Sequence, residues 1–296
     1  GEYKNYQFSD YTIPENTDKE VKQKVREYLN YFNINFTHHS RKKFSLFHAF
    51  SYLSGKNRVF DPEPETYEID ENVKQFQYYI AGNWHLGKGS DLKVAIHYIH
   101  TTLEGLNPDP NSGQGNQYWK YLFIEKRTSF VGFAKFSKSL SNFNFRASSS
   151  LSNLNGELQF LPLLGFDYYP LGNSNLYLST DVAYQFAPDV EHFSPGFILK
   201  QKIGVRIITP LWFEPFIQYG KVSNFADEDA YVIYNSTDAI DYWYGARLNF
   251  YVYNSNLSIY YIFQSYQNTN YFQIKDIPGE ISFSSSTHLI GLKWDL

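Results

Sequence analysis

Apolar and polar residues alternate with a period of two along most of the chain. In "QFQYYIAGNWHLG", Phe76, Tyr78, Ile80, Trp84 and Leu86 fall on one side, and Gln75, Gln77, Asn83 and His85 on the other. "DLKVAIHYIH" sets Leu92, Val94, Ile96 and Tyr98 against Lys93, Ala95 and His97. "GFILKQKIGVRII" sets Phe197, Leu199, Ile203, Val205 and Ile207 against Lys200, Lys202, Gly204 and Arg206. "YWYGARLNFYV" sets Tyr242, Tyr244, Ala246, Leu248 and Phe250 against Gly245, Arg247 and Asn249. The last stretch, "STHLIGLKWDL", repeats the pattern, with Ile290, Leu292, Trp294 and Leu296 opposite Gly291, Lys293 and Asp295. Successive strand side chains point to opposite faces, so this period predicts an all-β chain whose strands each show one oily and one polar side.

The connections carry a second pattern. Short turns are expected at His39–Lys42, Gly87–Ser90, Lys138–Ser141, Pro170–Ser174, Thr209–Pro210 and Asn254–Asn256. Between them lie longer polar connections at 55–73, 105–117, 188–195, 223–238 and 268–280, with one short one at Asn153–Gly156. Short and long connections therefore alternate, as they do where tight turns lie at one end of a membrane barrel and longer loops at the other. Counting back from the C-terminus gives strands near 282–296, 257–267, 239–253, 211–222, 196–208, 174–187, 156–169, 142–152, 118–137, 91–104, 74–87, 43–54 and 28–38. That is thirteen, and bacterial single-chain barrels use even numbers. "EYKNYQFSDYTI", residues 2–13, supplies a fourteenth strand that closes against the last. The alternative is a twelve-strand barrel with a periplasmic N-terminal extension over residues 1–27. The segment 17–28 has helical charge spacing and is either a short helix in a loop or an upward extension of the next strand. The expected architecture is one domain over 1–296, an antiparallel up-and-down transmembrane β-barrel.

Composition sharpens this. The chain of 296 residues has 27 Tyr, 26 Phe and no Cys or Met. Mean hydropathy is −0.45 although 43% of residues are hydrophobic, and no run approaches the roughly 18 apolar residues of a membrane helix. The net charge of −4 gives no electrostatic case for nucleic acid. The absence of an initiator Met and of an apolar leader suggests a mature chain whose signal peptide has been removed. A soluble β-sandwich also alternates. Here, however, the polar faces hold mid-strand charges such as Lys200, Lys202 and Arg206, and Trp84, Trp119, Trp212 and Trp294 sit toward strand ends, as an interfacial aromatic girdle requires.

The terminal "HLIGLKWDL", the amphipathic strands and the alternating connections resemble the outer-membrane β-barrel proteins of Gram-negative bacteria. In that class the last strand also serves as a signal to the insertion machinery and usually ends in an aromatic residue. Here it ends in Leu296, with Trp294 two places earlier. The size resembles fourteen-strand porins and fatty-acid-transporter barrels, without the long N-terminal plug of the latter, and the Tyr/Phe/Asn-rich composition resembles barrels from Bacteroidota. The resemblance implies long loops outside the cell, short turns in the periplasm, and outer-membrane lipids, lipopolysaccharide and the assembly machinery as partners. Other outer-membrane proteins or lipoproteins are further candidate partners.

Candidate chemistry is sparse. His97 and His100 lie three apart on one strand and fall on opposite faces, so they cannot share a metal. His38 and His39 read as a solvated pair at a turn. "RASSSLSN" ties no Ser to a His, and Asp189 and Glu191 around His192 read as a solvated loop. No catalytic residue, cofactor or resident metal is expected. Two acidic stretches stand out as cation- or partner-binding loops: Asp61, Glu63 and Glu65, and Asp227, Glu228 and Asp229. Neither has the ligand spacing of an EF-hand loop. The presumed lumen collects Lys93, Arg146, Lys200, Lys202, Arg206, Arg247 and Lys293 against Asp167, Asp181 and Glu214. Either these form a wall of mutual ion pairs, or they line a water-filled, mildly basic pore that prefers anions. An inward-folded acidic loop would close such a pore. The sequence thus leaves two functions: porin-like passage of small hydrophilic solutes, or a non-conducting structural subunit of a larger outer-membrane assembly.

Overall fold

The structure is a computed structural model. It describes residues 2–6, 23–41, 43–61, 67–108, 120–187, 196–234, 239–252, 257–274 and 277–294. In chain order the strands are β1 (Glu2–Tyr6), β2 (Gln23–Arg41), β3 (Phe44–Asp61), β4 (Tyr67–Gly87), β5 (Ser90–Pro108), β6 (Lys120–Leu140), β7 (Phe143–Ser152) and β8 (Gln159–Tyr168). They continue as β9 (Leu176–Tyr184), β10 (Phe197–Ile208), β11 (Leu211–Val222), β12 (Phe225–Asp227), β13 (Val232–Tyr234), β14 (Ala239–Tyr251), β15 (Leu257–Ile274) and β16 (Ile277–Trp294). Fourteen of them close into one antiparallel barrel, and β12 and β13 form a separate two-stranded hairpin. The N-terminal strand exists and closes the sheet. Glu2 pairs with Gly291 of β16 on one side and with Asn33 of β2 on the other. Residues 7–13 of the expected first strand lie outside the described residues. Of the segment 17–28, the described part from Gln23 onward is strand, an extension of β2.

The two faces separate as the alternation predicts. Phe32, Phe50, Ile96, Phe130, Phe136, Leu164, Phe197, Ile203, Tyr219, Ile290 and Leu292 are exposed on the outer wall. This belt is apolar, continuous and unpartnered, as lipid contact requires. Among the described residues no helix is long and apolar enough to cross a membrane. Aromatic rings gather toward the short-turn end, where Phe44 packs on Trp84 and Phe143 stacks on Tyr168. Trp212 does not belong to the girdle. It pairs with Arg206 and Asn249 and shares the inward face of Glu214. Trp119 lies outside the described residues.

The barrel wall is uneven in height. Strands β2 to β6 run 18 to 21 residues, and β15 and β16 run 18 each. Strands β7 to β11 run only 9 to 12, close to the 9–11 or so that span a bilayer. The extra length stands outside the apolar belt. On β4 the outer face changes from Phe76 and Tyr78 to Asn72 and Lys74, and Lys74 pairs with Glu104 of β5 at 3.1 Å. Within the connections expected at 55–73 and 268–280 the described residues 55–61, 67–73, 268–274 and 277–280 are strand, as are 105–108 of the one expected at 105–117. Polar residues suit a water-facing strand as well as a loop, which is why composition alone misplaced these boundaries.

A cation on the belt should be costly. Ile203→Arg is expected to lower the unfolding free energy in phospholipid bilayers by about 2–4 kcal/mol, whereas Ser148→Arg, on the lumen face of β7, should cost far less. Urea titration of both variants measures the difference.

Candidate functional site

The connection between β11 and β14 does not project outward. It folds into the lumen as the β12–β13 hairpin and is gripped from both sides. At its tip the Asp229 carboxylate accepts from Lys93 at 2.6 Å and from Lys135 at 2.6 and 2.8 Å. The Tyr79 hydroxyl donates to the Asp229 carbonyl at 2.9 Å. The next carbonyl, that of Ala230, accepts from His97 Nδ1 at 2.8 Å, which fixes the proton on that nitrogen. The Tyr231 hydroxyl donates to Asn33 of β2 at 2.9 Å. On the opposite wall Lys200 of β10 pairs with Asp227 and lies 4.7 Å from the centre of the Phe225 ring. At the neck, Asn224 donates to Glu157 at 2.5 Å and accepts from Asn155 at 2.6 Å, and Gln185 donates to the Ser223 carbonyl at 2.6 Å. Contacts to β2, β4, β5 and β6 on one side and to β10 and Gln185, just past β9, on the other mean that the hairpin crosses the lumen.

Apolar packing follows the same plan. Ala226 and Ala230 complete a cluster with Ala49, Tyr79, Ala81, Ala95, Ile99 and Val131. The alanines on the wall leave room for the tip. Phe225 is 1% exposed and completes a second cluster with Ile198, Val222, Trp243 and Tyr266. Docking also has costs. Glu228, Asp229 and Ala230 all take positive φ, at 46°, 62° and 63°, a region that costs non-glycine residues roughly 1–2 kcal/mol each. Both amide atoms of Gln218, Nε2 of His97, Oε1 of Gln185 and Nε2 of Gln159 are buried without a hydrogen-bond partner among the described residues. All four side chains belong to the wall and neck that the hairpin covers. Each orphaned group costs about 1–3 kcal/mol, so the hairpin is held by its ion pairs and rings against stored strain.

The remaining lumen charges divide into local networks. Arg146 of β7 donates to Asp181 and to Asp167 at 2.6 Å each and to Ser179 at 2.8 Å. Gly165 of β8 lies between Arg146 and Asp181 in the register, and a Cβ there would overlap the Asp181 carboxylate. Glycine thus lets the pair reach across an intervening strand. Tyr177 uses the same device, leaning over Gly204 to donate to Glu214. Glu214 also accepts from Asn249 at 3.1 Å and sits 4.0 Å from Arg247, which stacks on Tyr260.

The register places most of the expected pore-lining charges on the inward face, and part of their positive charge is offset there by carboxylates. Lys93, Lys200, Arg146 and Arg247 are each matched by carboxylates. Arg206 braces the β10–β11 turn through the Thr209 carbonyl at 3.1 Å. Lys293 lies at the short-turn mouth, paired in register with Ser258. Asp227 and Asp229, read from sequence as loop ligands for a cation or partner, are internal counter-ions instead. Glu63, Glu65 and His192 lie outside the described residues, and Asp61 ends β3. His97 and His100 fall on opposite faces, with His100 facing out toward Thr128. Among the described residues no three His, Asp or Glu are placed to hold a metal ion. Lys135, Tyr79 and Gln218 escaped the sequence reading. Lys135 was findable, since it shares the parity of Phe133 and Ser137 on β6.

A cavity of about 240 Å³ lies beside the hairpin. Its wall includes Lys135, Arg146, Lys200, Lys202, Glu214 and Arg247, together with Phe216, Trp243 and Tyr234.

No family model and no curated protein matches the chain. Among solved structures the barrel is similar to the ferric-catecholate import receptor Fiu of E. coli. The open form gives a TM-score of 0.35 at 11% identity over 90% of this chain and 52% of that one. The closed form gives 0.37 at 9% over 90% and 54%. The chain spans about half the length of those receptors, and a likeness this distant carries no inference about cargo.

Two outcomes test this geometry. Arg146→Gln leaves Asp167 and Asp181 without their cation and should destabilise the barrel by about 3–5 kcal/mol in urea unfolding. The chain has no cysteine, so Ala230→Cys is a unique probe. At 2% exposure, it should resist a maleimide, and adding Asp229→Asn should speed its labelling about tenfold or more.

Proposed function

We propose that this barrel is an outer-membrane conduit for small hydrophilic solutes whose aperture is set by the β12–β13 hairpin. The observation that carries the reading is the Asp229 carboxylate clasped between Lys93 and Lys135, which holds a strained hairpin across a charged lumen. Long connections face outside and short turns the periplasm, so the hairpin enters from the outer side. Asp227 and Asp229 offset two of the three charges of Lys93, Lys135 and Lys200, so the anion preference of the conduit is weaker while the hairpin is docked. Release would expose these lysines, so preference for anions is stronger in the open state. The ion pairs supply the hold, and hydration of Gln218 and His97 favours release. A second reading is favoured by the same hairpin: a barrel closed at rest that serves as a subunit of a larger outer-membrane assembly, its tall β2–β6 wall offered to partners.

Planar-bilayer recording separates the two. Wild-type protein should show small, brief openings, and replacing residues 225–234 with a short Gly-Ser linker should give steady, severalfold larger currents. Silence from both proteins would overturn the conduit and leave the subunit. pH offers an independent check. Burial pushes the Asp229 carboxyl up, but the ammonium groups of Lys135 and Lys93 outweigh it and hold the carboxyl below its usual value. The clasp is therefore intact above the ordinary carboxylate pKa of about 4 and is lost only as pH falls through the depressed one. Current should rise on such acidification in wild type, and Asp229→Asn should already be high at pH 7.

A further inference from the structure

Resting on the conduit reading, we propose that the cavity beside the hairpin binds small monocarboxylates that carry an apolar body, with Lys202 as the anchor for the anionic group. Lys202 stands apart from the other cations of this wall. Lys135 and Lys200 are held by hairpin carboxylates, Arg146 by Asp167 and Asp181, and Arg247 by Glu214. The cross-strand neighbours of Lys202 are Ser179 and Phe216, neither of them acidic. The acids nearest in register are committed. Asp181 accepts from Arg146, Asp227 from Lys200, and Glu214 from Tyr177 and Asn249. Among the described residues Lys202 has no ion-pair partner, yet it lines the cavity.

An ammonium lining a half-open, partly apolar cavity gains from an incoming anion some of what its neighbours gain from their built-in ones. The rest of the wall selects the body of the ligand. Phe216, Trp243, Tyr234, Leu161 and Leu163 border the same space, which at about 240 Å³ corresponds to roughly eight waters at ~30 Å³ each. That suits a single ring or a short branched chain. The charge of the ligand is limited too. One ammonium matches one negative charge, and the other cations of this wall are already held by carboxylates. Dicarboxylates and phosphate esters are therefore poor candidates, and the rings and the ammonium together favour a carboxylate such as phenylacetate.

Calorimetry on the full-length protein in a maltoside detergent tests this without any conductance. Phenylacetate should bind saturably, and phenylacetamide and benzylamine about tenfold more weakly or not at all. Acetate, lacking the ring, should also be weaker. Lys202→Gln should reduce phenylacetate binding about tenfold and Lys202→Arg should retain it, with the heat-modifiable electrophoretic shift of both variants confirming a folded barrel. Equal binding of phenylacetate and phenylacetamide, or unchanged binding in Lys202→Gln, would overturn the assignment, as would the absence of saturable heat in wild type. A barrel that binds phenylacetate and stays silent in bilayers keeps the site and loses the conduit. One that conducts without binding does the reverse.

Discussion

A strand in hydrocarbon has nowhere to place an unpaired N–H or C=O except against another strand. Everything else in this barrel follows from meeting that demand all the way round. The short β1 supplies the closure, pairing with β16 on one edge and β2 on the other. Over its five described residues it joins the two edge strands of a sheet whose open edges would otherwise be a template for aggregation. With the backbone satisfied, the outer side chains need only be apolar, and the polar side of every strand is forced into one enclosed space.

Enclosure creates the second problem, which is charge. Lysines and arginines facing a shared interior must be hydrated or matched. Two solutions coexist here. Around Arg146 and Glu214 the wall matches itself, with Gly165 and Gly204 opening gaps through which a side chain reaches the strand beyond. Elsewhere the counter-ions arrive on a separate element, the hairpin, whose Asp227 and Asp229 bridge opposite walls. A fourteen-strand barrel is too wide to be filled by its own side chains, as eight-strand barrels are, so a folded-in segment supplies both the charge and the volume.

The two solutions differ in reversibility. The Arg146 network is built from rigid strands and cannot separate without unfolding. The hairpin is tethered only at its ends, carries three consecutive left-handed residues at its tip, and covers unsatisfied amides. Its position rests on a few ion pairs, hydrogen bonds and ring contacts. That balance makes it the natural moving part, and Lys202 lies at the edge of the space beside it.

Period-two alternation determined the inward and outward faces, and with the alternating connection lengths the up-and-down strand order, because lipid on one side and charge on the other leave each strand one permissible register; it did not decide whether residues 2–13 close the sheet. The lumen residues from Lys93 to Arg247 were readable for the same reason. The destination of "ADEDA" was not. An acidic loop in water and an acidic hairpin among lysines have the same composition, and only the folded barrel brings Lys93, Lys135 and Lys200 to opposite sides of one space where that segment can lie. Strand ends above the membrane were also hidden, since a polar strand and a polar loop differ in pairing and not in residue type. Sequence sets which face each side chain takes, while the partners it meets across the lumen depend on distances of many strands, which only the closed structure fixes.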